Sequence, residues 1–182
     1  MTPYEIVAQA IGIVAMIFNI LMYQNKTGKG AIAFQLVGAS LFTFSYFMLG
    51  ATVGALMNII AVIRNLVFLF RERLRADHPL WLAAFIAMYL GAYALTFTVF
   101  GKEWTLASGV LEFLPVVAMT AATISYRYTD ATVIRRYGLI ASPTWLVYNA
   151  ANVAIGAIVC EALSIASIVI GMLRLDREDK NA

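Results

Sequence analysis

Positive charge in this chain is confined to alternate gaps between long apolar stretches, and that confinement leaves little choice but a bilayer. Eleven of the thirteen Lys and Arg residues fall in four segments: Lys26 and Lys29; Arg71, Arg73 and Arg75; Arg127, Arg135 and Arg136; and Arg174, Arg177 and Lys180. Only Lys102 stands in a gap of the other set, and only Arg64 stands inside an apolar stretch. Short loops rich in Lys and Arg stay on the cytoplasmic side of a membrane. The map therefore predicts an odd number of crossings, with the N-terminus outside and the C-terminus inside.

Composition agrees. The chain is 62% hydrophobic and 13% charged, with a mean hydropathy of +0.82. This leaves too little polar surface to solvate a globular domain. A span needs about 20 mostly apolar residues, and the 182 residues accommodate seven of them: 4–23, 31–49, 52–70, 80–99, 104–125, 138–153 and 155–173. Each is expected to be helical, because backbone groups in lipid must bond within their own segment. The gaps around Gly50 and Gly156 are short enough to require tight antiparallel hairpins. The start MTPYEIVAQA has no basic n-region and reads as part of a span, not a cleavable leader. Aromatic residues at the span ends, Tyr4, Tyr23, Trp81, Trp104 and Tyr126, are expected to anchor in the headgroup belt, and His78 beside Pro79 to be interfacial. The tail LRLDREDKNA reads as a solvated charge run.

Sliding the chain on itself by 102 residues lays spans one to three over spans five to seven. Thr27 meets Thr129, Ala39 meets Ala141, Ser40 meets Ser142, Tyr46 meets Tyr148, and the basic gaps register as well. Span four has no partner and no charge. Its extra crossing restores the second unit to the orientation of the first, so the two units are expected to be parallel. The organisation is then 1–77 for the first three-helix unit, 78–101 for a linker helix and 102–182 for the second unit with its tail.

This plan of three, one and three helices with an outside N-terminus resembles the SWEET sugar transporters of the MtN3/PQ-loop superfamily, a parallel-repeat case. The segment YQNKTGKGAIAF and the hairpin SYFMLGATVGALMNIIAVIRN resemble the small bacterial inner-membrane proteins of the YgjV type. The resemblance implies an all-α polytopic protein of the bacterial inner membrane, N-terminus periplasmic and C-terminus cytoplasmic, working as a small-solute transporter. Pro115 and Pro143 match the SWEET hinge prolines in the second unit, where the first has Ile13 and Leu41. Asn58 matches one of the sugar-facing asparagines, but its mate is Cys160, and Tyr23-Gln24 stands where a PQ dipeptide would be. A sugar is therefore not specified, and other small metabolites stay open.

Several polar residues lie within the spans. Asn58 and Asn65 are seven apart on one helical face, with Cys160, Ser164 and Ser167 forming the corresponding stripe in span seven. They could line a central pathway or merely hold helices together. Trp145, Asn149 and Asn152 share a face beside Pro143, a candidate pocket wall, with Asn19 and Tyr23 a weaker stripe on span one. Ionisable groups at such depth are costly, so Arg64, Glu112 and Glu161 are the most pointed candidates. Arg64 could snorkel to the interface or pair with a carboxylate. Glu112 and Glu161 are too short to reach the surface and must be paired, hydrated or protonated, and either could couple proton movement to solute movement.

These residues point to a transporter or facilitator with a midplane site, working by alternating access. The alternative is a membrane scaffold or regulatory subunit whose polar stripes only bind helices. No His pair, nucleophile dyad or acidic metal cluster suggests an enzyme, a metal or a cofactor. The expected partners are the lipid bilayer and a small solute, with a homo-oligomer open and nucleic acid excluded.

Overall fold

The computed structural model describes residues 3–49, 52–152 and 155–178. Among them are eight α-helices and no strand: α1 (Pro3–Leu21), α2 (Gly28–Met48), α3 (Thr52–Leu69), α4 (Arg71–Leu74), α5 (Pro79–Thr98), α6 (Leu106–Tyr126), α7 (Ala131–Ala151) and α8 (Ile155–Glu178). A 3₁₀ turn, Met22–Gln24, follows α1. Five segments are long and apolar enough to cross a membrane: Pro3–Gln24, Gly28–Met48, Pro79–Thr98, Leu106–Tyr126 and Gly156–Asp176. The expected hairpins fall at residues 50–51 and 153–154, outside the described residues; Gly156 itself lies within α8.

Polar side chains set the helix starts. The Thr27 hydroxyl accepts from Gly30 N at 3.1 Å and opens α2, and Asp130 accepts from Thr132 N at 2.7 Å to open α7. Thr105 and Ser108 form a reciprocal capping box on α6. His78, read from sequence as merely interfacial, caps α5 through Nδ1 with Pro79 behind it in the first turn. The Asp130 cap moves the start of α7 seven residues ahead of the expected 138. Arg135 and Arg136 therefore lie on a helix and not in a loop.

Successive helices pack as α1 on α2 on α3 and as α6 on α7 on α8, while α5 touches both α3 and α6. The two groups meet where α1 contacts α8 and α2 contacts α7. The outside is apolar: Tyr4, Ile6, Phe44, Phe47, Val110 and Val147 are exposed with no protein over them. Such a surface suits hydrocarbon. The interior holds small residues and polar ones together, with Ala8, Ala15, Ala39 and Ala118 beside Ser45, Asn65, Thr123 and Ser164. Small residues let backbones approach: the Ser45 hydroxyl reaches across to donate to Ala8 O at 2.8 Å.

α8 also approaches its neighbours closely. A Cβ on Gly171 would stand 2.6 Å from Tyr23 O and 2.9 Å from the Arg135 side chain, whereas a Cβ on Gly91 of α5 would meet nothing within 4 Å. Gly171→Val should lower stability by about 1 to 3 kcal/mol through overpacking, read as a fall in melting temperature in detergent. Gly91→Ala should leave that temperature unchanged or raise it slightly, since alanine favours the helix more than glycine does. A Gly171→Val protein melting with wild type would contradict this packing of α8 on the 3₁₀ turn.

Candidate functional site

The four basic segments gather at one end of the bundle. Gly28 N donates to Thr129 O at 3.0 Å, within an isolated antiparallel bridge that pairs Thr27 with Asp130. Arg71 donates to Arg127 O at 2.7 Å and also pairs with Asp77, while Arg127 donates to Asp77 O at 2.8 Å. These bonds join the segments after α1, α3 and α6 into one layer. At its centre Arg135, only 1% exposed, donates to Asn25 O at 2.9 Å and Tyr23 O at 3.3 Å and forms an ion pair with Asp176. Thr132 adds a hydroxyl bond to the same carboxylate at 3.1 Å. Asp176 thus departs from the solvated tail expected of it, because a buried guanidinium requires a counter-charge.

Beside this layer Gln24 donates to both Ser167 O, at 2.6 Å, and Ser167 Oγ, at 2.8 Å, and Ser167 in turn donates to Ile20 O at 2.8 Å. The end of α1 is thereby fastened to α8. Tyr23, expected as a headgroup anchor, is buried instead, because the missing side chain of Gly138 leaves room for its ring. Tyr126 departs in the same way, packed edge-on against Phe68 with the Arg64 guanidinium 4.8 Å above its ring. Tyr4 and Trp104 are exposed, as a belt residue would be.

Deeper along the same seam lies a mixed polar cluster. Cys160 lies beside Asn19 of α1 and Ser164 of its own helix, and Glu161 lies beside Ser142 of α7. Tyr46 of α2 is within electrostatic reach of Cys160 and Glu161, and also of Tyr148 of α7. The Tyr148 hydroxyl donates to Glu112 at 3.2 Å, and the same carboxylate pairs with Lys102. Polar groups are therefore spaced along the bundle from Cys160 and Glu161 past Tyr46 to Tyr148, which bonds the Glu112–Lys102 pair. Ser164 Oγ is buried there without a hydrogen bond.

The residues singled out from sequence divide accordingly. Cys160, Ser164 and Glu161 come together, joined by Asn19, Tyr23 and Ser142. Trp145 packs edge-on against Tyr148 at 5.6 Å between ring centroids, and Asn149 is buried one turn further on. Asn152 is exposed and only closes the end of α7. Asn65 is fully buried and donates to Gln35 of α2, while Ser167 bonds to Gln24 and Ile20 O. Asn58 is half-buried on α3. Pro115 and Pro143 lie inside uninterrupted helices.

Arg64 neither snorkels nor pairs with Glu161 or Glu112. It is 1% exposed, turned inward toward Asn65, Met119 and Tyr126. Lys102, read as an ordinary loop charge, is the residue that neutralises Glu112. Sequence reasoning overlooked Tyr46, Tyr148 and Arg135. The offset match of the two tyrosines and the Asp130 cap were the signals that could have found them.

Glu112 is 7% exposed, so removing its cation should cost more than removing both charges. Lys102→Met should lower the melting temperature, and adding Glu112→Gln should recover part of the loss, with a coupling of about 0.5 to 3 kcal/mol. The lower half of that range is expected, since Lys102 keeps contact with solvent. Strictly additive effects would mean that the pair does not form.

A family described as a bacterial inner membrane protein, Imp-YgjV, matches residues 6–179 of the chain. No curated protein and no solved structure matches it.

Proposed function

The chain belongs to the Imp-YgjV family of bacterial inner membrane proteins, and on that footing we propose that it carries a small solute across the membrane by alternating access. The observation that carries this reading is the series of polar groups on the seam between α1–α3 and α6–α8. Tyr46 and Tyr148, matched at the 102-residue offset, lie within reach of each other with Glu161 on one side and Glu112 on the other. Hydroxyls, a thiol and a carboxyl set deep between two helix groups are expensive in lipid and suited to a polar guest.

Two parallel three-helix units joined by α5 would rock about this seam. The pairing of Thr27 with Asp130 supports that arrangement. Segments that run in the membrane plane and are related by a two-fold axis along the membrane normal are antiparallel where they meet, and these two pair so one residue from the 102-residue register. The basic end would face the cytoplasm by the charge rule. There Arg135 and Gln24 would tie the units together, with Asp176 holding Arg135 in place, and on this reading the conformation is the one closed toward the cytoplasm. A solute would enter from the periplasmic side, and opening inward would require those bonds to break.

The scaffold reading retains one specific support, since Asn65 and Glu112 are both occupied by protein partners. Vesicle uptake separates the two. With a solute first found by melting-temperature shifts across a metabolite panel, Glu161→Gln should slow uptake about ten- to a hundredfold, the worth of one charge-assisted hydrogen bond of about 1.5 to 3 kcal/mol. Its fold should be retained. Unchanged flux in Glu161→Gln and in Tyr46→Phe/Tyr148→Phe would sink the transport site as drawn, and silence across the panel with a co-purifying protein would favour the scaffold.

A further inference from the structure

We infer that Arg64 is held as the counter-charge for an anionic solute, and that the solute class is a monocarboxylate with a compact apolar or aromatic body. The inference rests on the transport reading and gives it a substrate chemistry. It starts from an imbalance. Among the described residues the other buried guanidinium, Arg135, is paired with Asp176, and the buried Glu112 with Lys102; Glu161 has no ion pair either, but a carboxyl can shed its charge by binding a proton and a guanidinium cannot. Arg64 is as buried as Arg135, yet no ion pair reaches it among those residues.

What surrounds the guanidinium is a poor substitute. Nε and Nη2 both point to the single Oδ1 of Asn65 at 3.4 Å, beyond the usual 2.7 to 3.2 Å of an N–H···O bond. Nη1 faces the Met119 sulfur at 3.8 Å. The Tyr126 ring covers the plane of the group at 4.8 Å, an attractive but weak contact. A guanidinium fork is shaped for two parallel bonds to a carboxylate, and here it is desolvated without one. Leaving a buried cation in this state destabilises the protein, and such a cost at one position fits a functional group more than a structural one.

Its location fits as well. Arg64 is on α3, while Met119 and Tyr126 are on α6, so the guanidinium reaches from one helix group to the other. Rocking of one group on the other would withdraw Tyr126 and open the fork. The ligand's character follows from the walls. One cation can neutralise one negative charge, and Phe68, Phe85 and Tyr126 form a run of aromatic contacts beside it. A hydrated dianion would be poorly served, whereas a single carboxylate on an apolar body would be matched at both ends.

The test uses purified full-length protein in detergent, with benzoate, short-chain monocarboxylates, their neutral amides and inorganic phosphate as probes. Carboxylates should raise the wild-type melting temperature where the matched amides do not, and Arg64→Met should abolish the shift. Without any ligand, Arg64→Met should itself melt about 2 to 4 °C higher than wild type, because an uncompensated buried charge is gone. Should Arg64→Met not fold, Arg64→Lys serves, with a shift retained in part because the charge remains but the fork is lost. The inference is overturned if carboxylates do nothing, if amides or phosphate act equally well, if a variant that folds keeps the full shift, or if ligand-free Arg64→Met melts lower. A neutral metabolite that stabilises the protein while carboxylates fail would overturn the anion and leave transport standing. Silence toward every solute would remove both.

Discussion

A polar side chain in hydrocarbon has no water to turn to, so it must find its partner on another helix or on a guest. That constraint orders this bundle. Ser45 turns to the backbone of α1, Asn65 to α2, Ser167 to Gln24 and Ile20, and Glu112 to Lys102. The first three fix neighbouring helices side by side and the last holds a loop to α6, and the apolar residues left over face outward. Because the partners are inside the protein, the polar residues concentrate on the lines where helix groups meet. The seam that holds the bundle together is therefore also the place where a polar solute would be tolerated.

Arg135 is the clearest case of one residue organising several segments. Its guanidinium collects the backbone carbonyls of Tyr23 and Asn25 and the carboxylate of Asp176, and so binds the α1 end, α7 and α8 at a single point. Gly171 and Gly138 leave room for this arrangement by having no side chain where Tyr23 and Arg135 pass. These bonds lie at the basic end, while the Glu112–Lys102 pair belongs to α6 and the loop ahead of it. In the proposed transport cycle this fastening at one end is one stage of a two-state device.

Much of this could be read from the amino-acid sequence, because apolar length and loop charge are properties of single segments. Each expected span coincides with a described helix, five of them in segments long and apolar enough to cross a membrane, and the four basic segments do meet at one end. Partnership was harder to read. Arg135 looked like a loop charge because the Asp130 cap was overlooked, and Tyr23 and Tyr126 looked like belt anchors because each follows an apolar run. Their burial depends on Gly138 and Phe68, which are distant in sequence. Glu112 was correctly expected to need a partner. That partner, Lys102, comes from a loop ten residues earlier, a distance that a flexible lysine stem covers and that helical periodicity does not predict.

The central claim is that water and solute reach the seam between the two helix groups, alternately from each side, and the single cysteine of the chain reports on it directly. Cys160 is 6% exposed in the conformation closed at the basic end. In oriented membrane vesicles a small, charged, membrane-impermeant thiol reagent should label Cys160 from the periplasmic face in the wild type. In Arg135→Gln, where the basic end is unfastened, labelling should also occur from the cytoplasmic face. A thiol that stays unreactive from both faces in both proteins, and reacts only after denaturation, would show a sealed interior and contradict the account.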